Sequence, residues 1–188
     1  MIVVVNFDFK IPDDAEVINS TSSSKNYGRH LSPFYLGPVK LYGNYSSINV
    51  ENGWQYSKVY SEYIEDGDPT IEYFRWAEKG WNSKTAHRYP MGRDRVPEYC
   101  FWDGAKLSYL EARKNIYLPL YVNAVKNTSA FSILRDKYEY CLSNNKKLYI
   151  QAYDSYNVES PDYSKLLDNP NIKFGHGYVL AMILENKL

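Results

Sequence analysis

Several ingredients of familiar protein chemistry are scarce in this chain of 188 residues. It has two cysteines, Cys100 and Cys141, which rules out a disulfide framework and any repeated Cys spacing for zinc. Its three histidines, His30, His87 and His176, are scattered and match no zinc motif. There is no surplus of charge of either sign, since Lys+Arg and Asp+Glu both number 22. Bulk electrostatic attraction to nucleic acid is thereby excluded, and only a local basic patch could act in that way. The longest apolar run, Met1-Ile2-Val3-Val4-Val5, is far too short to span a bilayer. Asn6 and Asp8 follow it with no small-residue cleavage site, so it reads as neither signal peptide nor anchor. A reducing, cytoplasmic setting without membrane contact is the expectation. The G-x-S-x-G elbow, the Walker loop, G-x-G-x-x-G and H-E-x-x-H are all missing. Neither cysteine has a histidine beside it, which leaves no sequence case for a thiol nucleophile.

What is abundant is tyrosine: 20 of them, with an aromatic share of 16%, more than a core of this size requires. A flat ring with a polar tip suits semi-exposed pocket walls, and an aromatic-rich genome is the equal alternative.

At this length one domain with a sizeable core suffices, so residues 1–188 are expected to form a single domain. The β-branched stretch 2–9 reads as a buried strand and 16–18 as a short one, joined by the turn at Pro12-Asp13-Asp14. Residues 19–24 are a hydroxyl-rich loop, either linker or hydrogen-bonding rim. Turn chemistry over Leu31–Pro38 precedes a strand at 39–42. Periodicity then predicts a helix over 48–64 with Asn49 as N-cap, and a second one capped by Asp68 with Pro69 at its first position. A long helix is expected from Trp102-Asp103, kinked or split by Pro119. Further helices are expected at 129–142, 162–168 and 172–186, with a strand over 148–153. Gly175 and Gly177, inside the last of these, point to close approach by another backbone or a ligand. The fold class is therefore α+β, predominantly helical with a small β-sheet.

Three features carry candidate chemistry. On the 48–64 helix, Glu51, Gln55, Lys58 and Glu62 fall at i, i+4, i+7 and i+11, a single polar stripe. A carboxylate, an amide and an ammonium on one face can hold a ribose and shift one another's pKa values, although a solvated face is the commoner meaning of such a stripe. Arg88 and Gly92-Arg93 offer two guanidinium forks and a glycine in an irregular segment, as phosphate sites do and as ordinary charged loops also do. Asp154 lies at the end of the 148–153 strand, where carboxylates act or simply turn the chain.

Taken in order, these segments resemble the NADAR superfamily, and within it a divergent, phage-associated branch. Leu31-Ser32-Pro33-Phe34-Tyr35-Leu36-Gly37-Pro38 is similar to the family's Leu-Ser/Asn-x-Phe-Tyr segment. Val50-Glu51-Asn52-Gly53-Trp54-Gln55-Tyr56-Ser57-Lys58 is similar to its Val-Glu-His-x-aromatic-Gln-x-x-Lys. Ala86 through Gly92-Arg93, Phe101-Trp102-Asp103, Leu148 through Asp154 and Phe174 through Met182 follow in the family's order. Asn52 stands where the pattern has His, and Gln151 or Ala152 where it has a second Glu. Residues 1–26, the first strand and the Ser-rich loop, have no counterpart and read as appended to the domain.

The resemblance implies an N-glycosidase acting on a riboflavin-pathway intermediate, a nucleotide or an ADP-ribosylated guanine, free or on nucleic acid, with no cofactor and no metal. Glu51 would be the catalytic carboxylate and Asp154 the second polar group. Gln55 would bind a ribose hydroxyl, Lys58 would hold Glu51 ionised or touch a phosphate, and Arg93, with Arg88 second, would clamp phosphate or diphosphate. Phe34, Tyr35 and Trp102 would stack on the base. The competing expectation is a non-catalytic sponge that captures an ADP-ribose-type signal as a phage counter-defence, acting in the host cytoplasm. A third is an interaction protein that keeps a vestigial pocket.

Overall fold

The computed structural model describes residues 1–159 and 161–188. From the N-terminus, Ile2–Val5 forms β1 and Glu16–Asn19 forms β2. Val39–Lys40 (β3) pairs with Ser46–Ser47 (β4) before helix α1, Val50–Gln55. Lys58–Val59 (β5), Ile64–Glu65 (β6) and Asp68–Pro69 (β7) lead to α2, Ile71–Trp81. Tyr99–Trp102 (β8) and Ala105–Leu107 (β9) precede α3, Tyr109–Ala112, a π-turn over Arg113–Tyr117, and α4, Leu118–Val125. The chain closes with α5 (Ser129–Ser143), β10 (Leu148–Gln151), β11 (Val158–Glu159), α6 (Tyr163–Asp168) and α7 (His176–Leu184). With about 39% helix and 16% strand, the class is α+β, with helix outweighing strand. No helix among the described residues is long and apolar enough to cross a membrane.

The chain divides into two compact units, Met1–Ser32 with Tyr121–Leu188, and Pro33–Leu120. The first is built on a four-stranded sheet in the order β11-β1-β10-β2, in which β1, β10 and β2 run parallel and β11 runs antiparallel to β1. Being an inner strand, β1 is buried along its whole length, which is why it reads as an unbroken β-branched run. Val3, Val5 and Tyr149 are covered by Phe9, Ile11, Ala15 and Val17 from one side. The other face takes α7 and α5. A Cβ on Gly177 would lie 2.9 Å from Ala152 Cβ and 3.0 Å from Val4 Cγ1, so only a glycine lets α7 sit this close. Lys137 of α5 is paired with Glu16 of β2.

The second unit contains the largest departures from the periodicity. No helix runs through 48–64: α1 stops at Gln55, and the chain turns into β5, which pairs with β8 at Lys58↔Cys100 and Val59↔Tyr99. Ser57 ends the helix by donating its hydroxyl to the Trp54 carbonyl at 2.7 Å, which spends an orphan acceptor of the last turn. Two Asp-Gly pairs make hairpins rather than helix ends. Asp66-Gly67 (φ +49°, +86°) joins β6 to β7, and Asp103-Gly104 (φ +48°, +84°) joins β8 to β9. Thr70, not Asp68, therefore caps α2, and Pro69 lies in β7. Likewise Trp102 ends a strand, and the long helix starts only after Ser108, which forms a capping box with Glu111. Pro119 lacks the N–H that would bond four residues back. The disturbance is absorbed as the π-turn before it, where a kink or split was expected. The final helix is shorter than 172–186, with Gly175 as its N-cap residue.

Candidate active site

The polar stripe survives the loss of the long helix, in a different geometry. Asn49 caps α1 by accepting the Asn52 N–H at 2.8 Å, and all six residues of the helix are buried. The Glu51 N–H donates to Pro33 O at 3.0 Å and the Val50 N–H to Leu36 O at 2.8 Å. The Leu-Ser-Pro-Phe-Tyr segment and the Glu51 segment are thereby laced together, with half-buried Phe34 and exposed Tyr35 between the two bonded carbonyls.

Glu51 is only 5% exposed, and its Oε1 accepts from Gln55 Nε2 at 2.9 Å. Gln55 Oε1 in turn accepts from Lys58 Nζ at 2.6 Å. This orientation of the amide is the one that serves both neighbours, since a carboxylate only accepts and an ammonium only donates. Glu62, the fourth member of the stripe, is exposed and bonded instead to Arg95 at 2.5 Å.

Lys58 Nζ lies 5.0 Å above the Trp54 indole. Burial pushes its pKa down, as does the charge of Arg88; Cys100, opposite it on β8, and Glu51 pull it back up. The Cys100 thiol is raised by burial to about 11, which makes it inert as a nucleophile at neutral pH.

Arg88 is half-buried, with its guanidinium 5.5 Å from the Tyr89 ring, and exposed Arg93 stands 5.6 Å from the same ring across the turn at Gly92 (φ +103°). The two arginines named from sequence thus meet on one tyrosine. Trp102 is engaged by Tyr42, ring centroids 4.9 Å apart. Asp154 belongs to the first unit: its Oδ1 is 4.0 Å from Lys173 Nζ, and Gly175 packs against it, where an added Cβ would lie 3.0 Å from Asp154 Cβ.

Three contributors went unread in the sequence. Asn52 is a clamp: its amide donates to Ser83 O (3.0 Å) and Thr85 O (2.9 Å), and its Oδ1 accepts the His87 N–H (2.8 Å). It holds the segment leading to Arg88. His87 Nδ1 in turn lies 2.9 Å from the Tyr56 hydroxyl. Arg113, 1% exposed on the π-turn that packs against α1, stacks at 4.7 Å on Tyr109 and bonds its hydroxyl at 3.0 Å. Tyr109 and Tyr117 flank Trp54, at 6.4 and 5.5 Å between ring centroids. The spacing Tyr109-x-x-x-Arg113 behind a capping box was a visible signal for the stacked pair.

The first unit holds a second polar cluster. Ser20, Thr21 and Ser24, at 0, 1 and 4% exposure, are interior, hydrogen-bonded groups of the 19–24 loop, which is thus no linker. His176 Nε2 approaches Ser20 Oγ at 3.0 Å, the spacing of a Ser–His pair. It also lies 2.9 Å from the Ser20 carbonyl, which can only accept, so Nε2 carries the proton. The Ser20 hydroxyl itself donates to Gln151 O at 2.9 Å. With its proton committed and no exposed surface, Ser20 is no nucleophile. Among the described residues, no group of three or more His, Cys, Asp or Glu side chains is placed to hold a metal ion.

A family model described as a family of unknown function (DUF6939) matches residues 4–169, and the chain belongs to that family. No curated protein matches it.

Proposed function

For this member of a family without an assigned activity, we propose an N-glycosyl hydrolase that cleaves the bond between a ribosyl carbon and a base nitrogen in a nucleotide or an ADP-ribosylated guanine. The observation that carries the proposal is the buried Glu51 carboxylate, held by Gln55 and Lys58 beside the Phe34–Tyr35 segment. The resemblance of residues 31–38 and 50–58 to the NADAR superfamily supports it.

In this mechanism the C1′–N bond breaks with its electron pair leaving on the base, and positive charge develops at C1′ and O4′. A carboxylate at about 3 Å stabilises that charge and orients the attacking water. Water adds its oxygen to C1′ and gives one proton to the carboxylate, and that proton passes on through solvent to the leaving base nitrogen, which restores the carboxylate. Glu51 is the carboxylate. Lys58, linked to it through Gln55, keeps it ionised. Arg88 and Arg93 bind phosphate oxygens as bidentate forks. No step is assigned to Asp154.

A second reading, capture without turnover, is favoured by one observation. Asn52, where the resembling pattern has His, spends its amide on the backbone of residues 83–87 and presents none of it as chemistry. Incubation with ADP-ribosylated guanine nucleotides and DNA, followed chromatographically for released ADP-ribose, separates the two. Turnover that Glu51→Gln lowers by roughly 100-fold or more supports the hydrolase. Binding without turnover, unchanged in that variant, establishes the sponge, and absence of binding defeats both.

A further inference from the structure

Between α2 and β8 the chain runs through residues 82–98 without helix or strand. Exposed connecting segments are the mobile part of a fold, and Gly92, Arg93, Asp94, Arg95 and Val96 are all exposed. The beginning of the segment is different, because one side chain holds it. Asn52 is 0% exposed and spends both ends of its amide on this backbone, Nδ2 on Ser83 O and Thr85 O, and Oδ1 on the His87 N–H. A neutral amide suits this position because it offers two N–H donors and an acceptor at one centre.

His87 is fixed a second time, by its Nδ1 at 2.9 Å from the Tyr56 hydroxyl. Tyr56 is itself immobile. It is 7% exposed, its ring centroid lies 4.6 Å from that of Trp76, and a Cβ on Gly80 would fall 2.1 Å from its Cε1.

This bracing treats the two arginines of the segment differently. Arg88 directly follows the braced His87, just as Asn52 directly follows Glu51 on α1. One side chain therefore sets the separation between the Glu51 backbone and the Arg88 backbone. Burial first, and then the charge of Arg88, hold the Lys58 pKa down, so Arg88 is within electrostatic reach of the ionic chain. Arg93 stands beyond the turn at Gly92, exposed and outside the braced part.

We infer that Asn52 is a positioning residue that makes Arg88 the selector for a phosphate on the ribose being cleaved, while Arg93 adds mainly to the binding of a second phosphate further out. This rests on the proposed site at Glu51 and holds whether the ligand is hydrolysed or only captured. A guanidinium fork whose backbone is fixed in advance loses little freedom on meeting a phosphate, whereas an exposed one must first be ordered. The site so built prefers a nucleotide to the corresponding nucleoside.

The test is calorimetric titration of the full chain with GMP, guanosine and ADP-ribose. GMP is expected to bind the natural chain at least about tenfold more tightly than guanosine. Arg88→Gln should bring the two within about twofold, and Arg93→Gln should weaken ADP-ribose more than it weakens GMP. Asn52→Ala, with Arg88 still present, should reduce the GMP preference by about fivefold or more and speed tryptic cleavage after Lys84 and Arg88. If Asn52→Ala does not fold, the comparison of Arg88→Gln with Arg93→Gln decides. Equal binding of GMP and guanosine to the natural chain, a preference that survives Arg88→Gln or a folded Asn52→Ala, or one that Arg93→Gln removes as fully as Arg88→Gln, overturns the inference and leaves the hydrolase reading standing. Failure of all three ligands to bind overturns both.

Discussion

The two buried polar clusters answer the same problem in opposite ways. In one unit, Ser20, Thr21, Ser24 and Asn19 are uncharged groups that bond one another, the backbone and His176. Thr21 Oγ1 alone contacts Asn19 Oδ1 at 2.7 Å and Ser23 Oγ at 2.8 Å. In the other, Glu51 and Lys58 take charges of opposite sign below the surface and bridge them with one amide. Neutral hydroxyls can be buried at almost no net cost once bonded. A buried ion pair seldom gains over well-packed apolar side chains of the same volume. The hydroxyl cluster therefore needs no explanation beyond architecture, whereas the ionic chain does. Charge retained in the interior is the feature on which the proposed hydrolase rests.

The contrast can be broken most decisively at Glu51. Glu51→Gln should remove turnover by roughly 100-fold or more while the chain stays folded, as circular dichroism would show; retained activity would make the ionic chain as architectural as the hydroxyl one. Next in size is Ser20→Ala, which removes one of two donors to the Gln151 carbonyl, the backbone N–H of residue 20 being the other, and takes the hydroxyl away from His176. It should cost about 1.5 kcal/mol in urea unfolding and leave turnover intact. A loss of activity there would give the neutral cluster a role that its geometry denies.

A smaller effect concerns Lys58. Its folded pKa lies below 10.5, so between that lowered value and 10.5 the unfolded chain binds the extra proton and stability rises with pH. Lys58→Met should flatten this rise in unfolding measured across alkaline pH; an unchanged slope would place the lysine in water. The smallest is at the sheet edge. Lys137 holds Glu16 below its ordinary pKa, chiefly by a hydrogen bond and then by charge. Lys137→Met should cost about 1 kcal/mol at neutral pH. That stability is present above the unfolded value of Glu16 and is lost as pH falls through its lowered folded value, so natural chain and variant should converge in acid.

Much of the first unit was legible because its elements are long or uniform. The helices α5 and α6 lie where composition and spacing put them, and the strands expected over 2–9 and 148–153 are present in shorter form, as Ile2–Val5 and Leu148–Gln151. The second unit was harder to read for a physical reason. Its strands β5, β6 and β7 are two residues long, too short to show a period. The aromatic residues around them, Tyr56, Tyr60 and Tyr63, happen to recur at helical spacing while packing individually on Trp76. The signals that contradict a helix were present as Asp66-Gly67 and Asp103-Gly104, the strongest short-range hairpin pairs. Local turn chemistry outweighed a coincidental period.

The candidate site shows the same division. That Glu51, Gln55 and Lys58 belong together, and that Arg88 and Arg93 do, was written in their spacing. Sequence alone determined the α+β class and the lack of an apolar stretch long enough for a membrane-crossing helix among the described residues. Only the tertiary structure decided that Glu51 and Gln55 are buried, that their chain of bonds crosses from a helix to Lys58 on a strand, that Asn52 is a clamp and that Ser20 is spent. Those outcomes depend on which donors and acceptors are left without water, and that is set by packing between segments far apart in the chain.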